Sequence, residues 1–224
     1  MLGLIYDVHG NLPALEAVLE DASDVDSWLL GGDYALFGAW PAETVERLQD
    51  LDAHWIRGNG ERWTAEPAEA PEEVRAAISW CAGMLGRDVV AELHGLPQTH
   101  TDGDTLYCHA SPGSDTDSFG PEPGDDEGEL LEGIGSKRVV FGHTHLPFSR
   151  ESESGIELIN PGSVGMPFDG DPRAAYAVIG DDSAVEHRRV EYDHRASAAA
   201  IRECQGPAGE VAAARIERAS AQVG

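Results

Sequence analysis

His143 and His145 stand two residues apart in the segment FGHTHLP (residues 141–147), directly after the apolar run Val139-Val140-Phe141. Two imidazoles so placed either solvate a loop or bind metal. Similar donors recur along the chain: Asp7 and His9 in DVHGN, Asp33 in GGD, Asn59 in GNGE, His109 in CHASP. All seven are oxygen or imidazole donors, and no thiolate is needed. Each signal alone is weak. An isolated Asp-x-His is more often structural than metal-binding, GD and GN are common turn dipeptides, and a histidine after a strand is commonly a hydrogen-bonded loop residue. The GHTH segment says more. On extended backbone, residues i and i+2 face the same side, so both imidazoles would approach neighbouring metals.

The elements that must carry these donors alternate. LGLIY (residues 2–6) reads as a strand running into DVHGN. NLPALEAVLEDA then carries a helix start, with Asn11 as N-cap, Pro13 in the first turn and Leu12, Leu15, Val18 and Leu19 on one face. SWLL (27–30) is a strand ending in GGDYALFG, AETVERLQDL (42–51) a helix, and HWIR (54–57) a strand ending in GNGE. This order predicts an α/β fold. The stretch 63–93 reads as helical around EEVRAAISWCAGML and DVVAEL. TLYC (105–108) ends in His109, and KRVVF leads into GHTH. SDTDSFGPEPGDDEGE reads as a mobile, acidic surface loop. IELI (156–159), AAYAVI (174–179) and AVEHRRVEY (184–192) are further strands, and an alanine-rich helical tail begins at about residue 196. No internal repeat or boundary divides residues 1–224, which read as a single domain. Five strands thus end in polar clusters, and in α/β sheets sites form where the carboxyl ends of strands converge.

Composition narrows the function classes. The chain has 224 residues, 41% of them hydrophobic, enough for one sizeable core. Acidic residues outnumber basic ones by 41 to 15, Lys137 is the sole lysine, and the net charge is −26. That balance opposes bulk nucleic-acid binding, which rests on phosphate neutralisation, and opposes binding to anionic membranes. A carboxylate-rich surface suits a protein kept soluble in a high-salt cytoplasm. That reading is preferred over genomic base composition, which does not explain the excess acid. No apolar run approaches the ~20 residues of a membrane span. The opening lacks a basic start, so no secretory signal is expected. Cys81, Cys108 and Cys204 are an odd number at unrelated spacings, which fits a reducing cytoplasm.

Taken in order, these motifs resemble those of the calcineurin-like metallophosphoesterases, in the small prokaryotic branch related to phosphodiesterases and diadenosine tetraphosphatase. DVHGN resembles D-x-H-G-N, GDYALFG resembles G-D-x-x-x-x-G, GNGE resembles G-N-x-[DE], CHASP supplies an isolated histidine, and GHTH matches G-H-x-H. INPGSVGMP resembles the segment that closes this branch's core, and the likeness runs to about Tyr192. The resemblance implies a four-layer α/β/β/α sandwich. It implies that Asp7, His9 and His145 bind one metal, that Asn59, His109 and His143 bind the other, and that Asp33 bridges both. Asp33, Asn59 and His109 are the positions expected to act directly in catalysis.

Physical chemistry agrees with those roles. Two cations about 3.5–4 Å apart clamp a phosphate and share a bridging hydroxide that attacks phosphorus. Glycines beside the ligands (Gly10, Gly32, Gly58, Gly142) permit tight turns and close backbone approach. Four histidines among seven ligands argue for Mn²⁺, Fe, Zn²⁺ or Ni²⁺ over Mg²⁺ or Ca²⁺. The expected substrate is a small phosphodiester or nucleotide anhydride. The alternatives are a phosphomonoesterase and a non-catalytic scaffold on the same fold. One position departs from the family: many relatives carry histidine where this chain has Gly60, and general-acid help is worth ~10²–10⁴-fold. Glu61 and Arg62 are the neighbours that could substitute. His54, His94, His100, His187 and His194 read as ordinary polar positions. Trp28, Trp55 and Trp80 read as core. Trp40 and Trp63 follow site motifs and could stack a base, although core packing is the preferred reading for both. Arg173 reads as a surface ion pair rather than a phosphate contact.

Overall fold

A computed structural model describes residues 1–223. Among the described residues, ten strands form two five-stranded sheets. The first comprises β1 (Leu2–Ile5), β2 (Ser27–Leu30), β3 (Ala53–Trp55), β9 (Ala174–Ile179) and β10 (Val185–Val190), in the order β10-β9-β1-β2-β3. The second comprises β4 (Thr99–Asp102), β5 (Thr105–Cys108), β6 (Arg138–Val140), β7 (Phe148–Glu151) and β8 (Glu157–Asn160), in the order β4-β5-β6-β8-β7. Strands β1, β2 and β3 are parallel, as are β5, β6 and β8. Helices α1 (Leu12–Asp21) and α2 (Pro41–Gln49) connect the first three strands. Helices α3 (Asn59–Ala65), α4 (Arg75–Leu85) and α5 (Arg87–His94) fill the central stretch.

The layers follow from side-chain alternation along the strands. Leu4 and Tyr6 of the first sheet point to an inner layer shared with Leu29, Tyr107, Val140 and Ile159. Ile5 and Leu30 point to the other face, where Leu15, Val18, Leu48 and Ile78 come from helices. Behind the second sheet, Val139, Phe141 and Leu158 pack against Phe119 and Leu131, beside the short helix α6 (Glu127–Leu130). The expected four-layer α/β/β/α sandwich is therefore present, with one outer layer thin. Helices α7 (His194–Gln205) and α8 (Glu210–Arg218) pack on each other and bury Ile201, Ala213 and Ile216 with Met166.

Four segments differ from the sequence reading. Edge strands β4 and β7 were not expected; THTD and FSRE have too little apolar content to signal a strand. GNGE was read as a turn, yet Asn59 opens helix α3. The acidic stretch 114–129 is anchored at several points rather than free. Asp115 pairs with Arg62, Phe119 is buried against Phe141, and Gly120 accepts from Arg150. No helix among the described residues is long and apolar enough to cross a membrane.

Candidate metal centre

Register aligns the strand ends. Ile5 pairs with Leu30 and Leu30 with Trp55, while Tyr107 pairs with Val140. The loops beyond stay zipped: Asp7 donates its N–H to Gly32, His9 to Asp33, and Gly142 to His109. The 160–166 segment clamps the same region. Val164 and Gly165 donate to the carbonyls of Tyr6 and Asp7, and Ser163 Oγ donates to the Asp7 carbonyl at 2.7 Å. Asn11 does not cap α1 with its side chain as expected. Its amide instead donates to Gly165 O and accepts from Ser197 Oγ, tying DVHGN to this segment and to α7.

All seven candidate side chains converge. Asp7, His9, Asp33, Asn59, His109 and His145 are buried, and His143 is half-buried. Asp7 Oδ1 lies 3.5 Å from His145 Nε2, 3.9 Å from His109 Nε2 and 4.0 Å from His9 Nε2. Asp33 faces both sides, with Oδ2 3.9 Å from His9 Nε2 and Oδ1 3.5 Å from His109 Nε2. Asn59 Oδ1 sits 3.0 Å from His109 Nε2 and 2.9 Å from His143 Nδ1. His143 and His145 do not lie on extended backbone as the sequence reading assumed. Both have positive φ, as do Asp7, His9 and Asp33. Five of the seven thus occupy the left-handed region, at a cost of order 1–2 kcal/mol each. The turn closed by Thr144 N–H to Gly142 O aims the two imidazoles inward.

The donor set fits a cation. His9, His109 and His145 each place Nδ1 on a backbone carbonyl, of Leu36 (3.0 Å), Gly31 (2.8 Å) and Met166 (2.5 Å). A carbonyl only accepts, so each Nδ1 carries a proton, and Nε2 is the atom each ring turns inward. His9 Nε2 and His145 Nε2 then face each other at 3.1 Å, and His109 Nε2 faces the Asn59 oxygen. On the neutral His9 ring that atom carries a lone pair, which positive charge nearby would stabilise. Asp7 Oδ1 is also buried without a hydrogen-bond partner, a costly arrangement that a cation would relieve. Two groups have the spacing to hold one: Asp7, His9 and His145, and Asp7, Asp33 and His109. Burial lowers His9 to about 3 and His143 to about 4, so both imidazoles are neutral and ready to ligate at pH 7. Asp33 is raised to about 7, chiefly by burial.

The sequence reading missed the supports. Glu61 is buried and accepts from the N–H groups of Asp33 (2.9 Å), Tyr34 (2.9 Å) and Gly58 (2.8 Å). Its position three residues after Gly58, at the start of α3, was the available signal. Asn160 donates to Gly142 O and Thr144 Oγ1 and steadies GHTH. Neither proposed stand-in for a residue-60 acid is free: Glu61 holds backbone, and Arg62 is bound by Asp115 and Glu69. Of the two tryptophans, Trp63 lines a cavity of about 400 Å³ over the centre, and Trp40 does not. The five other histidines lie elsewhere; His54 stacks on His100, and Arg173 pairs with Asp171 at the surface.

Residues 1–183 match the family model described as the calcineurin-like phosphoesterase superfamily domain. The chain belongs to that superfamily. It is 31% identical over 199 residues to the phosphodiesterase YfcE of Escherichia coli, covering 81% of this chain and 89% of that protein. An uncharacterised protein of Methanocaldococcus jannaschii is 30% identical over 222 residues, covering 86% and 88%. The crystal structure of a metallophosphoesterase from Sphaerobacter thermophilus superposes with a TM-score of 0.83 at 31% identity, covering 97% of this chain and 98% of that one. The protein is a metal-dependent phosphoesterase, a hydrolase, and its buried Asp and His groups can bind metal.

Proposed function

We propose that this calcineurin-like phosphoesterase holds two divalent transition-metal ions and hydrolyses phosphodiesters or nucleotide anhydrides. Asp7, His9 and His145 would hold one ion, Asn59, His109 and His143 the other, and Asp33 would touch both. The observation that carries this reading is the buried, unpartnered Asp7 Oδ1 ringed by three inward-facing Nε2 atoms. When bound, the ions supply Lewis-acid charge at the phosphoryl oxygens and make water acidic enough to attack at neutral pH. The chain's own groups do the rest. The Leu36, Gly31 and Met166 carbonyls lock three imidazoles in the ligating tautomer. Glu61 fixes the loop that presents Asp33. Phe37, Trp63 and Phe168 give the cavity an apolar wall that keeps bulk water away and suits an organic substituent on phosphorus. That wall, with the likeness to a phosphodiesterase, favours diesters over small monoesters.

Residue 60 offers no acid to the leaving group. Gly60 N–H donates to Asp33 Oδ1 at 2.6 Å, and a Cβ there would lie 2.8 Å from the same oxygen. Esters with good leaving groups and anhydrides are therefore the expected substrates. The test is chelation, metal analysis, and a hydrolysis panel of mono-, di- and dinucleoside phosphates with Mn²⁺ restored. Two equivalents of metal and preferential diester or anhydride cleavage are expected. A protein that takes up no metal, or that cleaves only monoesters, sinks the proposal.

A further inference from the structure

The family match ends at residue 183, yet the cavity over the centre is completed by residues well beyond it. Pro207, Val211 and Arg215, on and just before α8, form part of its wall. Apart from histidines, Arg215 is the only cationic side chain among the described residues lining that cavity. It is half-buried, and its Nε is buried without a hydrogen-bond partner. Its guanidinium lies over the Phe168 ring, 5.8 Å from the centroid. Phe168 in turn stacks on the His145 ring at 4.3 Å and 20°. The cation therefore stands one aromatic ring removed from a candidate ligand.

Pairing is the habit of arginines in this chain. Arg62, Arg150, Arg188, Arg189 and Arg202 each hold carboxylates, and acidic residues outnumber basic ones by 41 to 15. Leaving a half-buried guanidinium without such a partner costs solvation that the Phe168 ring returns only in part. Burial accordingly pulls Arg215 below its ordinary value, with no carboxylate acting against it. Glu73 also lines the cavity, but it is exposed and forms no ion pair with Arg215 among the described residues. An anion brought by the ligand would supply the missing partner. The scissile phosphate is met by the ligand side chains on the cavity floor. Arg215 enters from the wall formed by α8.

Resting on the proposed function, we infer that Arg215 binds a second anionic group, one phosphate away from the scissile one. The preferred substrates then carry two or more phosphates and an aromatic or apolar group that rests against Trp63 and Phe168. The residue sets specificity; it is not a catalytic acid. A charge-assisted hydrogen bond of this kind corresponds to ~10–100-fold in binding.

The test compares wild type, Arg215→Ala and Arg215→Lys in two ways. Calorimetry measures binding of α,β-methylene-ADP and of AMP to the purified protein, with and without added Mn²⁺. Kinetics compare diadenosine triphosphate with bis(p-nitrophenyl) phosphate, which has a single phosphate. Arg215→Ala should weaken the diphosphate analogue about 10–100-fold, and AMP much less. The KM for diadenosine triphosphate should rise by at least about tenfold more than that for the simple diester. Arg215→Lys should recover part of the loss, and metal content should stay at the wild-type level. Equal losses on both substrates would put Arg215 on the scissile phosphate, and unchanged diphosphate binding would remove it from recognition; either overturns the inference. If wild type binds no metal and cleaves neither substrate, the phosphoesterase proposal fails, and the calorimetric arm still decides the role of Arg215.

Discussion

The two halves of the proposed centre are braced differently. Around Asp7, both imidazoles, His9 and His145, are buried, and each has Nδ1 fixed by a backbone carbonyl. Around Asn59, His109 is fixed in the same way by Gly31. His143 is half-buried and turns Nδ1 toward Asn59, and only its backbone N–H is tied, to Asp7 Oδ2 at 3.0 Å. A ligand held in its tautomer and orientation loses less freedom when metal binds. The Asp7 half should therefore hold its ion more tightly, and the Asn59 half should exchange first.

Asp33 tests whether the halves form one centre, and it carries the largest expected effect. Its carboxylate faces His9 on one side and His109 on the other. Asp33→Asn removes the charge that the two proposed cations would share. Occupancy of both halves should fall, with activity loss beyond the ~10–100-fold typical of outer-shell partners. Near wild-type turnover with two ions bound would show that the halves are independent.

Next in size is the asymmetry itself. A metal titration of chelated protein should resolve two steps. His145→Ala should erase the tighter one, and His143→Ala should weaken only the looser one. Both variants losing the same step would break the comparison.

The candidate ligands were legible because their types and their places after apolar strands are local features. Asp7, Asp33, Asn59, His109 and the GHTH pair could each be found from a few adjacent residues. Their supports could not. Glu61 acts on Asp33, 28 residues earlier, through main-chain N–H groups that carry no sequence signature. Asn160 and Met166 act on GHTH through backbone and hydroxyl contacts. The left-handed turns at His143 and His145 hid behind non-glycine residues, so the right convergence was expected for the wrong backbone reason. The layers were legible from apolar alternation, whereas edge strands β4 and β7 carry too few apolar residues to declare themselves.

Glu61 sharpens the comparison from the support side. It accepts from Gly58, just before Asn59, and from Asp33, so it braces the looser half and the shared carboxylate. Glu61→Gln keeps the shape but leaves one oxygen where three N–H groups need acceptors. A lost buried partner costs ~1–3 kcal/mol, and metal affinity should fall ~10–100-fold. Calorimetric titration should place most of that loss in the weaker step. A loss confined to the tighter step would contradict the division.

Gly60 carries the smallest expected effect and separates positioning from proton transfer. Its φ lies outside the left-handed region, so the backbone accepts a side chain. The constraint is contact: a new Cβ would stand 2.8 Å from Asp33 Oδ1 and 3.1 Å from its Cγ. The carboxylate must shift to admit it, so Gly60→Ala should weaken metal binding severalfold, below the ~10–100-fold expected of Glu61→Gln. In wild type the rate on aryl phosphodiesters should fall steeply as leaving-group pKa rises, because residue 60 gives the departing oxygen no proton. Gly60→His introduces the same Cβ plus an acid. Comparing it with Gly60→Ala cancels the contact and isolates the proton. At saturating Mn²⁺, Gly60→His should show the shallower dependence on leaving-group pKa, with the largest gain on the poorest leaving groups and little on p-nitrophenolate. If wild type is already insensitive to leaving-group pKa with chemistry rate-limiting, a proton donor operates elsewhere in the cavity. Gly60 is then only the gap that lets Asp33 approach α3.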